Sequence, residues 1–304
     1  MCKRRKIFKN LLLGFLLLRC AGMVAQEERL IRAQQLYRAK NIEQAVLAID
    51  SAVVDTVTSG DFIAWSTRAY IYYELYKRSE KHKLYSRLRD TIVASAYRSH
   101  QLKPDSNYQE NNKRIFTTLA AGYFNMSKSL LQDSLDYERS LVAYNKYKEL
   151  YALAEPQFNF TAKDIEYYLA VGSTFSEIFI KDNNNLKAQE NAKVALLKVL
   201  EIQPDNPNAN INMGLMYYNQ AVTLIKSLDY GADFSTIDVV QENIVKLAKQ
   251  SEQFVYKVYQ NDNKNLKAVE ALYFIYYMMN DKAKSDEFKV RCKELGINVE
   301  PTSK

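Results

Sequence analysis

Between residues 191 and 219 the apolar positions recur every three or four residues, stop, and resume. Ala192, Ala195, Leu196, Val199, Leu200 and Ile202 keep the 3.6-residue period of a helix with one buried stripe. Pro204 predicts its end, because the residue before a proline is pushed out of the α region. Pro207 suits the first turn of the next helix, where a missing N–H costs nothing. Ile211, Met213, Gly214, Met216 and Tyr217 carry the stripe of that second helix. So short a connection makes the two helices antiparallel neighbours. Strand-like alternation is nowhere sustained, and 8 glycines and 5 prolines in 304 residues favour an all-α protein.

The spacing within this stretch is more specific than a helical pair. Ala192, Leu196 and Pro204 read small, large, proline, and Met213, Gly214 and Tyr217 read large, small, aromatic. Both resemble the tetratricopeptide repeat, whose small residues let two helices approach and whose large ones fill the gaps. The resemblance can be followed along the chain. Ala33, Leu36, Asn41, Ile42, Ala45, Ile49 and Ala52 match a first unit over Gln26 to Val54. Trp65, Ala69 and Tyr72 open a second, which runs from Phe62 to Pro104 with a charged connection from Arg78 to Lys83. A third spans about Asn111 to Ala154 with Gly122 in its first helix, and a fourth Ala162 to Pro204 with Gly172 and Phe175. The fifth starts at Pro207, is interrupted from Asp229 to Asp238, and resumes from about Ile237 to Tyr259. The sixth is Leu266 to Leu295. The resemblance implies a right-handed α-solenoid of five or six hairpins forming one domain over residues 26–304. The second, fourth and fifth hairpins are expected to be long.

Residues 1–25 read differently. Lys3, Arg4, Arg5, Lys6 and Lys9 form a basic head, Leu11 to Leu18 an apolar run too short to span a bilayer, and Ala25-Gln26 a cleavage point after a small residue. This is the pattern of a secretory signal peptide. Cys20 would be the site of an alternative lipid anchor, but Arg19 before it departs from the small residue such sites carry. The segment changes the charge picture. The chain has 42 basic and 35 acidic residues, and six of the basic ones and none of the acidic ones lie in this segment. The remainder is close to neutral, which removes the main argument for a nucleic-acid partner.

Candidate chemistry is sparse. Cys292 is the one cysteine outside the segment, so no intramolecular disulfide is expected, and it reads as a small apolar residue. His82 lies in a charged run and His100 near a helix end. Lys181 to Glu190 echoes Asn261 to Glu270, but calcium-loop spacing would put Leu186, Lys264 and Leu266 at ligand positions, so both read as polar loops that cap a helix. No phosphate-binding glycine loop or nucleophile elbow occurs. No catalytic residue, cofactor or metal is expected.

Tyrosine is abundant, at 23 residues, and Tyr72-Tyr73, Tyr217-Tyr218 and Tyr276-Tyr277 fall at the same place in three first helices. The resemblance puts the first of each pair between helices. It puts the second on the concave wall, with the residues one turn earlier beside it. This implies a partner-binding row of Tyr37, Tyr70, Tyr73, Leu215, Tyr218, Asn219, Phe274 and Tyr277. The other reading packs these rings against a neighbouring helix. The family's carboxylate-binding clamp is not matched, since basic residues and asparagines do not recur at its places. Taken together, the chain reads as a non-catalytic scaffold of the bacterial cell envelope that binds a peptide or protein. Its composition and Ala-Gln junction resemble exported proteins of the Bacteroidota. The alternatives are a glycan- or peptide-capturing accessory protein of an outer-membrane uptake system, and a helical hydrolase.

Overall fold

A computed structural model of the chain describes residues 28–56, 58–229, 231 and 233–299. The expected signal segment at residues 1–25, Cys20 included, lies outside the described residues. The described residues are helices joined by turns, with no strand among them. The chain divides into two compact units, Met1–Phe158 and Asn159–Lys304.

Unit 1 contains α1 (28–38), α2 (Ile42–Val53), α3 (Phe62–Ser79), α4 (Arg87–Gln101), α5 (Ser106–Gln132) and α6 (Tyr137–Ala154). Unit 2 contains α7 (Thr161–Lys181), α8 (Leu186–Ile202), α9 (Pro207–Ser227), α10 (Phe234–Asn261), α11 (Leu266–Met278) and α12 (Lys282–Glu294). In both units consecutive helices pair as hairpins, and α3 with α5, α7 with α9 and α9 with α11 touch across the next pair. This is the order of a helical repeat, in which each unit buries its stripe against its neighbours. The fold is all-α, built of tetratricopeptide-like hairpins.

Local chemistry explains where the helices start. Asp61, Ser86, Asp105 and Asp136 in unit 1 accept from backbone N–H groups of α3, α4, α5 and α6. Asn185, Asn206, Asp233, Asn265 and Asp281 do the same for α8 to α12. Each such cap typically contributes about 1 kcal/mol. The two echoing loops share this geometry. Asn185 Oδ1 accepts from Ala188 N at 3.0 Å and Asn265 Oδ1 from Ala268 N at 3.1 Å, while Asp182 and Asp262 hold the N–H two residues on. The first loop lies inside a hairpin and the second between hairpins, so one local solution serves both connections.

The small positions allow the close approach that the spacing implied. A Cβ on Gly172 would stand 2.5 Å from Leu196 Cδ2 of α8, and one on Gly214 would collide with Val255 Cγ2 of α10. Serines on second helices tie some of the pairs. Ser251 Oγ donates to the Gly214 carbonyl at 2.7 Å, Ser140 Oγ to Ser127 O at 2.8 Å, and Ser99 Oγ to Phe62 O at 2.9 Å.

Two boundaries and one hairpin length differ from the sequence reading. The third hairpin begins at Ser106 rather than about Asn111, because Asp105 caps it. It was not expected among the long ones, yet α5 has 27 residues, second only to the 28 of α10 among the helices of Ile42–Glu294. The interruption in the fifth hairpin closes earlier, at Asp233, whose side chain accepts from Thr236 N at 2.9 Å. Gly122 lies in α5 as expected, though not at its small position. It is exposed with nothing within 4 Å of a Cβ, whereas Ala120 is fully buried and stands before Tyr123 as Ala69 does before Tyr72.

Candidate functional site

Alternate faces of the helices become core and surface, and the first helix of each hairpin decides what the tyrosine pairs do. Tyr276 is 1% exposed and its hydroxyl donates to Glu252 Oε1 at 2.8 Å, which with burial raises its pKa. Tyr277, the next residue, is 70% exposed. One helical step of about 100° is enough to move a ring from core to solvent. Tyr72 and Tyr73 divide less sharply, both half-buried. The Tyr72 hydroxyl donates to Asp50 Oδ2 at 2.7 Å, and Tyr73 instead holds Lys77 Nζ over its ring at 5.1 Å.

In unit 1 the first helices bring Tyr37 of α1, Tyr70 and Tyr73 of α3, and polar residues of α3 and α5 to one face. All three tyrosines are half-buried. Burial raises the pKa of each hydroxyl. Tyr37 also feels Glu74 and Lys77, and Tyr70 feels Arg114 and Tyr37, which places these groups within electrostatic reach of one another. The Tyr70 hydroxyl points to Asn111 O at 3.5 Å. Glu74 and Lys77 form an ion pair at 2.6 Å. The face therefore combines rings that stay neutral at ordinary pH with both signs of charge.

In unit 2 the expected row is split. Leu215, Tyr218 and Phe274 are half-buried and pack against a core cluster that includes Ile211, Leu272 and Ile275. Burial alone raises the pKa of Tyr218. Asn219 turns back on its own helix, donating to Leu215 O at 2.8 Å. Tyr277 stands clear, 6.4 Å from the ring of Tyr273.

The same first-helix register holds groups that a search for rings passes over. A cleft of about 310 Å³ is lined by Ser173, Ser176 and Glu177 of α7, Asn208 and Asn212 of α9, and Lys267 of α11. Asn212 Nδ2 donates to Ser173 Oγ at 3.1 Å across the two helices. Ser176 is 5% exposed and its hydroxyl has no hydrogen-bond partner. Ser176 follows Phe175 as Tyr218 follows Tyr217, so the register itself was the signal that could have found it. Hydroxyls, amides and one charge of each sign can meet a main chain or another polar ligand. Among the described residues no group of His, Cys, Asp and Glu could hold a metal ion, and no helix is long and apolar enough to cross a membrane. Cys292 is fully buried, and burial raises its thiol pKa.

No family model matches the chain, and neither does any curated protein. Among solved structures it is similar to PilW, a widely conserved type IV pilus biogenesis factor, at 16% identity over 89% of this chain and 93% of that one, TM-score 0.31. It is similar to the nuclear import adaptor Nro1 of S. pombe at 14% identity over 91% and 97%, TM-score 0.35. It is also similar to the C-terminal part of a TPR repeat-containing protein from Cytophaga hutchinsonii at 15% identity over 90% and 96%, TM-score 0.26. At these scores the likeness bears on neither partner nor site.

Proposed function

We propose that the chain is a non-catalytic interaction scaffold, exported to the bacterial cell envelope, that holds a peptide or protein partner on the faces of its first helices. The observation that carries this reading is the face of unit 1. There Tyr37, Tyr70 and Tyr73 remain half-exposed beside Glu74, Lys77 and Arg114, with Tyr37 resting one side on a core cluster. Tyrosine gives a large, rigid contact with a polar tip at low entropic cost, which is the chemistry of protein-binding surfaces. The hydroxyl-and-amide cleft of unit 2 supports the same reading, since its groups can pair with the main chain of an extended segment. Export rests on the basic head, apolar run and Ala25-Gln26 junction.

The test is affinity purification from cell envelopes with the partner identified by mass spectrometry, repeated with Tyr37→Ala and Tyr73→Ala. Loss of the partner with helicity unchanged is the expected result. Retention by both variants would place the partner elsewhere, and selective retention of a polysaccharide would favour the glycan-capturing alternative.

A further inference from the structure

Arg89 of α4 is 2% exposed, a charged side chain in the interior of unit 1. A guanidinium taken out of water needs acceptors for its N–H groups and a counter-charge. Most of the acceptors are present. Nη1 donates to Leu84 O at 3.1 Å, Nη2 to Lys83 O at 2.9 Å and to the Tyr76 hydroxyl at 2.8 Å, and Nε to the same hydroxyl at 3.3 Å. One N–H of Nη1 is left over from the five the group carries. The counter-charge is made only of rings. Cζ lies 4.1 Å from the centre of Tyr123 and 5.0 Å from that of Tyr76, a partial compensation.

Arg89 lines a cavity of about 460 Å³ between α4 and α6, in the size range of small-molecule sites. Val93 of α4 and Leu150 and Leu153 of α6 supply apolar wall, and Lys146 a second cation. Two carboxylates also line it, Asp90 and Glu149, and both are exposed. Glu149 is held by Lys146 at 2.9 Å. Charges in water are screened, whereas a buried one acts through a lower dielectric, so Arg89 is the least screened of the four charges on the cavity wall.

We propose that this cavity binds a small amphipathic carboxylate, with its apolar body against Val93, Leu150 and Leu153 and its carboxylate on the spare Nη1 N–H of Arg89, Lys146 assisting. The site lies on the second helices and is independent of the face assigned to the partner above.

The probes are decanoate, 1-decanol and decyltrimethylammonium, each titrated below its micelle concentration into the full chain and followed by calorimetry. Decanoate is expected to bind about tenfold or more tighter than the alcohol, the usual gain from a hydrogen bond to a charged group, and the ammonium not to bind. Leu153→Trp narrows the cavity at its apolar wall while keeping Arg89, and is expected to weaken decanoate binding with helicity unchanged. Lys146→Gln is expected to weaken it. Arg89→Lys removes hydrogen bonds of the core as well, so the first two variants carry the test. Equal affinity for decanoate and decanol, no binding of decanoate, or decanoate binding unchanged in Leu153→Trp would each overturn the proposal.

Discussion

The two units close the same kind of hairpin by different means. Unit 2 uses glycine at the small position of its first two hairpins, while Tyr273 stands at that place in the third. Gly172 lies under Leu196 and Gly214 under Val255, with no room for a Cβ at either. Unit 1 uses alanine, Ala69 and Ala120, both fully buried. Its interior also holds a buried cation, which unit 2 does not show among its buried residues. Arg89 is stacked between Tyr76 and Tyr123, and Phe124, Tyr147, Tyr151 and Phe158 form a run of ring contacts with centroids 4.6–5.8 Å apart. The lesson is that a repeat specifies an approach of helices and leaves open which small residue allows it and which groups fill the rest of the interior. The glycine solution is compact and intolerant of added volume. The alanine solution depends on polar partners being satisfied.

The sharpest way to break this comparison is Gly214→Leu. The added side chain meets Val255 and the Ser251 carbonyl of the facing helix, so a loss of about 3 kcal/mol is expected from denaturant unfolding. An unchanged midpoint would mean that unit 2 is not closed at this glycine. The matching change in unit 1 is Arg89→Met, which leaves the Lys83 carbonyl and the Tyr76 hydroxyl without their donor and the Leu84 carbonyl with the Tyr123 hydroxyl alone. A loss of about 2–3 kcal/mol is expected, and a cost under about 0.5 kcal/mol would show that the alanine hairpins do not need the cation.

A smaller effect separates the tyrosines of unit 2. Tyr218→Ala removes a ring packed on the core and should cost about 1–2 kcal/mol, whereas Tyr277→Ala should stay within about 0.5 kcal/mol. Thermal unfolding of the two variants side by side decides whether Tyr218 is available to a partner at all.

The connection in unit 1 carries its own pH signature. Glu80 accepts from the Ser86 hydroxyl, Lys83 and Leu88 N, which lowers its pKa from 4.5 to about 2. A carboxylate with a depressed folded pKa contributes stability that is complete above its unfolded value. That contribution is lost as pH falls from 4.5 through about 2. Glu80→Gln should therefore lower stability at neutral pH and flatten this part of the acid titration of the unfolding midpoint. Parallel curves for the two proteins would mean the carboxylate is free in water. The smallest expected effect is a gain. Gly122 is an exposed helical glycine with open space around a Cβ, so Gly122→Ala should stabilise by about 0.5–1 kcal/mol, the opposite sign to Gly214→Leu.

Much of the fold was legible because its signals are local. The turn at Pro204 to Pro207, the capping asparagines of the two echoing loops and the small positions Gly172 and Gly214 all follow from spacing that one helix or one turn sets by itself. The early starts of α5 and α10 are local too, set by the caps Asp105 and Asp233 a few residues ahead of the starts that hydrophobic period alone predicts. The face residues were less accessible. Ser173, Ser176 and Asn212 look like solvated helix positions in sequence, and only α7 meeting α9 turns them into a cleft with a buried, unpartnered hydroxyl.

By itself the sequence determined that the chain is helical, where most helices pair, and that adjacent tyrosines such as Tyr276 and Tyr277 face different ways, because period and capping are properties of a few neighbouring residues. Only the tertiary structure decided that Ala120 and not Gly122 is buried in α5, that Tyr218 leans on the core, and that Arg89 is buried between two rings. Those outcomes depend on what a second and third helix bring to the same volume, and packing of that kind joins residues such as Arg89 and Tyr123 that no local spacing relates.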